Sequence, residues 1–119
     1  MVDLLIRIKR VYEPTSKDDC YRILIDRLWP RGLSKEKAGL NTWIKQIAPS
    51  DGLRQWFGHD PEKWEEFRKK YGKELREKQQ LLNDIKRLEK ENGTITLVYS
   101  AKGTEHNNAV ALKQMLEEK

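Results

Sequence analysis

Two strand-like segments held far apart by helical sequence constrain this chain most. Tyr21-Arg22-Ile23-Leu24-Ile25-Asp26 has the central aliphatic run of an interior strand, and Thr94-Ile95-Thr96-Leu97-Val98-Tyr99 is rich in β-branched residues. Between them the longest apolar pattern recurs at three and four. Asp60-Pro61-Glu62 reads as a helix start: a capping carboxylate, proline at the first helical position, and an acid in the first turn. Trp64, Phe67, Tyr71 and Leu75 then form a stripe, Gly72 is expected to weaken or bend it, and Leu81, Ile85 and Leu88 carry it on to Asn92-Gly93. Two strands joined by helices pair naturally in parallel, through a right-handed crossover.

The remaining elements are shorter. From Val2 to Lys9 the chain alternates, with Val2, Leu4, Ile6 and Ile8 on one side and Asp3, Arg7 and Lys9 on the other, the pattern of a half-buried strand. The polar loop Glu13 to Asp19 that follows is short for a crossover, so the direction of this strand stays open. Ser34 is expected to cap a turn over Lys35 to Ala38. Trp43, Ile44 and Ile47 fall at helical spacing before Pro49, and Leu53, Trp56 and Phe57 suggest a short helix stopped by Gly58. A last helix is expected from about Glu105 to Glu117, capped by Thr104 and burying Ala109, Leu112, Met115 and Leu116. The expected fold is one α/β domain over residues 1–119, with a small, mostly parallel sheet of about three strands flanked by helices.

Composition removes several classes of function. A single cysteine, Cys20, makes no internal disulfide and no cysteine-based zinc site, and its neighbours Asp18 and Asp19 argue against a reactive thiolate. No apolar stretch approaches the ~20 residues that span a bilayer, and Met1 to Arg7 is too soon interrupted by charge to be a signal peptide, so the cytoplasm is the expected location and a membrane is not an expected partner. The net charge of +5 is spread over both halves of the chain, with no basic tail. Folding can gather such charges onto one face, which leaves nucleic acid open as a partner.

Two loops carry more chemistry than turns require. The second strand runs into Asp26-Arg27-Leu28-Trp29-Pro30-Arg31-Gly32, and the third into Ser100-Ala101-Lys102-Gly103-Thr104-Glu105-His106-Asn107-Asn108. With both strands parallel, both loops leave the edge where open α/β sheets bind ligands. Arg27, Arg31 and Lys102 are candidates to hold an anion beside the start of the last helix, where free N–H groups and the helix dipole favour negative charge. His106 and Glu105 are the catalytic candidates, His106 because imidazole suits acid–base work near neutral pH. Neighbours in a helix point about 100° apart, so the two do not form a relay. Asn107, Asn108 and Ser100 are candidate substrate contacts, with Trp29 as a stacking surface and His59 joining if the Gly58 corner folds over the sheet edge, where Trp56 and Trp64 would wall the pocket.

Each of these residues also has a plain structural role open to it. Asp26 and Arg27 can pair with each other, Trp29 beside Pro30 can pack a turn, Glu105 can offset the helix dipole, and the asparagines can satisfy backbone groups. His106 is open to catalysis, ligand binding or structural hydrogen bonding. Ser100 lacks the glycine-flanked nucleophile elbow, and the chain has no phosphate-binding or dinucleotide glycine loop. Spacing neither requires nor excludes a metal held by the two histidines, and no metal ligand or cofactor is assigned.

Three segments together, Asp26 to Gly32, Trp56-Phe57-Gly58-His59-Asp60-Pro61, and Tyr99-Ser100-Ala101-Lys102 with Thr104 to Ala109, resemble the YeaO-like branch of the DUF-488 family. The resemblance runs from about Ile6 to Leu116 and implies an α/β domain without supplying an activity. Members of the branch often carry an acid where Gly103 stands, and the wider family often places cysteine at the Ser100 position. The leading expectation is a small enzyme, or a degenerate one, that binds an anionic small molecule at the C-terminal edge of the sheet. The alternative is a nucleic-acid-binding module in which Arg27, Arg31, Lys35, Lys37 and exposed tryptophans contact phosphates and bases. A third is an interaction protein using the mixed-charge helical face from Lys73 to Lys90.

Overall fold

Alternating and aliphatic segments fold into a parallel sheet in the computed structural model, which describes residues 4–103 and 106–117. The strands are β1 (Leu5–Arg10), β2 (Tyr21–Leu24), β3 (Thr42–Trp43) and β4 (Thr94–Tyr99), in the order β1-β4-β2-β3 and parallel throughout. The first strand is therefore parallel too. Its short connection suffices because it has only to step over β4, and needs no helix to do so.

Successive side chains point to opposite faces, so the register sorts the sheet into two different surfaces. Ile6, Ile8, Ile23, Ile95, Leu97 and Tyr99 form one, which joins the main core. That core is completed by α2 (Asp51–Phe57), α3 (Trp64–Arg76), α4 (Gln79–Asn92) and α5 (Asn108–Glu117). Phe57 and Phe67 stack at 4.3 Å, and Trp64 joins them 5.7 Å from Phe67. Tyr71 is fully buried and donates to the Ile47 carbonyl at 2.6 Å; burial pushes its phenol far above the ordinary value, so it stays a neutral donor.

Two expectations change at this level. The residues around Trp43 are not helical: Thr42–Trp43 adds a fourth strand beside Ile23 and Leu24, and Lys45–Ile47 makes one 3-10 turn. The Tyr21 and Thr42 hydroxyls bond at 2.6 Å, Ile44 N–H donates to the Leu24 carbonyl, and Pro49 leaves no length over which a helix could propagate. The long stripe from Trp64 to Asn92 is two helices, broken at Glu77-Lys78 instead of at Gly72. Gly72 stays inside α3 beside open space, while the Lys78 ammonium donates to the carbonyls of Gln46 and Ala48 and ties the break to the neighbouring loop.

Helix ends follow the local sequence. Gly58 ends α2 in the left-handed conformation, and Asp60 caps the turn that leads into α3. Ser50 caps α2 by accepting from Leu53 N–H, while its hydroxyl and N–H donate to the Glu74 carboxylate at 2.6 and 2.8 Å. Ser50→Ala strands both the helix end and the carboxylate, and is expected to cost about 1.5 kcal/mol in urea denaturation.

The other face of the sheet carries Arg7, Lys9, Arg22, Thr96 and Val98, and among the described residues the four longer helices complete the opposite core. A small cluster of Val11, Ala38 and Val98 lies under Trp29, Leu33 and Leu40, with α1 (Lys35–Ala38) capped by Ser34. Beside it Asp19 is wholly buried. Its carboxylate accepts from Arg22 Nη1 at 2.6 Å, Lys9 Nζ at 3.1 Å and the Ser16 N–H at 3.0 Å, with Arg7 3.7 Å away. Arg22 also donates to the carbonyls of Gly39 and Ala38. An ionic knot does here what a second helical layer does elsewhere.

Candidate functional site

The loops that leave β1, β2 and β4 border one cleft at the C-terminal edge of the sheet, with a volume of about 1000 Å³. Its apolar wall comes from Tyr12, Leu28, Trp29, Pro30, Pro49, Phe57 and Phe67, and its charge from Arg10, Arg27, Arg31, Arg54 and Lys102. Asp26, Ser100, Asn107, Asn108 and His59 complete the polar lining. Parallel strands place these loops together because their ends share one edge.

Asp26 sits at the centre of that lining. One carboxylate oxygen accepts from the Ser100 N–H and the Ser100 hydroxyl, both at 2.8 Å, and the other from Asn108 Nδ2 at 3.0 Å. Its backbone carbonyl accepts from Trp43 Nε1 at 2.6 Å. Asp26 thus fastens the end of β2 to the end of β4 and to the first residue of α5. It does not pair with Arg27, which reaches the Ala48 and Pro49 carbonyls and lies 3.7 Å from Asp51.

Two guanidiniums in the cleft are held by backbone carbonyls. Arg10 Nε donates to the Ser100 and Ala101 carbonyls at 3.3 and 3.0 Å, and its head lies 4.8 Å over the Tyr12 ring. Arg27 uses Nη2, while its buried Nε has no hydrogen-bond partner. Arg54 also approaches Asp51, at 3.5 Å. Among the described residues, the Arg31 guanidinium and the Lys102 ammonium have no ion-pair partner, and both residues are exposed. Five cations against the carboxylates of Asp26 and Asp51 leave the mouth positive.

Several candidates are already occupied. Asn107 bonds into the first turn of α5: its Oδ1 accepts from Val110 N–H, and its Nδ2 donates to the Gly103 carbonyl. Trp29 Nε1 donates to the Leu33 carbonyl, and its ring meets Trp43 edge-on at 5.5 Å, so its indole packs a turn. His106 lies edge-on to Trp64 at 5.1 Å and is not among the described residues that line the cleft. Glu105 and Thr104 lie outside the described residues. His59 does line the cleft, at positive φ beside Phe57, whereas Trp56 lies under the ammonium groups of Lys63 and Lys70.

Arg10, Arg54 and Tyr12 were absent from the sequence-derived candidates. The available signal was position: Arg10 ends an alternating strand, so it stands at the same edge as the two loops. Among the described residues no three His, Cys, Asp or Glu side chains come together in a way that would hold a metal. No helix among them is long and apolar enough to cross a membrane.

A parallel α/β sheet with a basic cleft at its C-terminal edge defines the class. The chain belongs to the DUF488 group: residues 5–119 match the family described as "DUF488-N3i: Inactive DUF488-N3 subclade". It is similar to the "Uncharacterized protein YeaO" of Escherichia coli (strain K12), 41% identical over 111 residues that cover 93% of this chain and 96% of that protein. It is also similar to the "Uncharacterized protein Rv3073c" of Mycobacterium tuberculosis (strain ATCC 25618 / H37Rv), 35% identical over 111 residues that cover 93% and 92%. No solved structure matches it.

Proposed function

We propose that this protein binds an anionic small molecule in the cleft and does not turn it over, as a degenerate enzyme retained for binding. The observation that carries the reading is the lining itself, in which five cations ring a large, partly apolar hollow, and Asp26, the one acid among the described residues that line it, is committed to Ser100 and Asn108. Guanidiniums already pinned to carbonyls lose little freedom on gripping a carboxylate or phosphate. Binding without turnover is supported by two further facts. The Ser100 hydroxyl donates into the Asp26 carboxylate and, among the described residues, bonds to no imidazole, and the family subclade is described as inactive.

Phenyl phosphate and phenylacetate combine an anion with an apolar ring and suit a calorimetric test. Arg27→Gln is expected to weaken phenyl phosphate by about tenfold, the scale of one charged hydrogen bond. Neither probe binding at millimolar concentration, or binding indifferent to the loss of Arg27, would refute the proposal. Oligonucleotide binding that falls steeply with salt, with no response to either probe, would favour nucleic acid as the ligand.

A further inference from the structure

The two pinned guanidiniums are anchored on different pairs of carbonyls. Arg10 is the last residue of β1, and its head leans onto the Ser100 and Ala101 carbonyls that follow β4. Arg27 follows β2, and its head rests on a different pair of carbonyls, those of Ala48 and Pro49 near α2. Because β4 lies between β1 and β2, the two strand ends are two inter-strand spacings apart, about 10 Å. Asp26, bonded to Ser100 and Asn108, stands between them and repels negative charge from the middle. Each head has a second cation on its own side. Tyr12, under Arg10, donates to the Arg31 carbonyl and so ties Arg31 to that end, while Arg54 shares Asp51 with Arg27.

We infer that the ligand is a two-headed anion, with negative groups at both ends of an apolar or neutral middle. This rests on the anion-binding reading above and specifies it. A single compact anion meets one cationic end at a time, whereas a two-headed one meets both and sets its uncharged middle against Phe57, Phe67 and Pro49. Tethering the second head turns its binding into an intramolecular event, so affinity rises only when the tether spans the gap.

A series of α,ω-alkane bisphosphonates, compared with alkyl monophosphonates of equal chain length, tests this by calorimetry on the full chain. Affinity is expected to peak at an intermediate tether, where the bisphosphonate binds at least about tenfold tighter than its monophosphonate partner. Arg10→Gln and Arg27→Gln should each reduce that advantage to near nothing. The tether-length profile of the unmodified protein decides the matter even if a variant fails to fold. Equal binding of the two series at every length would overturn the two-headed ligand and leave the anion cleft standing. If neither series bound, the cleft reading would fall and take this inference with it.

Discussion

Replacing Asp19 by asparagine is expected to remove about 3 kcal/mol of folding stability at neutral pH, the usual cost of breaking a buried charge pair from one side. The loss is large because Arg22 stays buried without its counter-charge, and the amide offers Arg22, Lys9 and the Ser16 N–H one accepting oxygen where the carboxylate offered two. At this chain length the loss corresponds to a melting point lower by roughly 10 °C. The pH dependence gives a second readout. Burial alone would raise the Asp19 carboxyl, but hydrogen bonds from Lys9, Ser16 and Arg22 outweigh it and hold the group below its ordinary 3.8. A carboxyl lowered by folding stabilises above its unfolded value, and that contribution is lost as pH falls through the folded one. The gap between parent and D19N should therefore be constant around neutrality and close in acid below 3.8. Equal melting points at pH 7 would show that the cations find water when the carboxylate is gone.

Asp26→Ala is the second large effect, expected at about 3 kcal/mol. It deletes three charge-assisted hydrogen bonds at once and leaves the Ser100 N–H and the Asn108 amide facing a void. The damage should be local. Amide exchange in the first turn of α5 is expected to quicken more than in α3, to which Asp26 makes no hydrogen bond. A uniform change across both helices would contradict the fastening role given to this residue.

The parts of the fold legible in the sequence were those with a period or a punctuation mark. β2 and β4 announced themselves by aliphatic and β-branched runs, and Ser34, Gly58 and Asp60 marked their helix ends locally. β3 was not legible because two residues, Thr42 and Trp43, carry no alternation, and tertiary pairing with Ile23 and Leu24 overrode a spacing that looked helical. The break at Lys78 was hidden by a stripe that continues in phase on both sides, while Gly72 drew attention that open space beside it did not justify. At the site, the loops after β2 and β4 were legible as neighbours from strand direction, whereas the loop after β1 was not, because the direction of that strand stayed open. Partnerships were not: Asp26 and Arg27 are neighbours in sequence, yet one faces Ser100 and the other Ala48.

Strand order also dictates when this sheet can exist. Tyr21–Leu24 and Leu5–Arg10 share no ladder; only Thr94–Tyr99, sliding in as the middle rung, joins them. On an emerging polypeptide, β1 therefore has no strand partner, and β2 has only the two residues of β3, until nearly all the helical sequence has left the ribosome. Assembly is a late, all-at-once closure, and the keystone that permits it is the same strand whose end supplies Ser100 to the cleft.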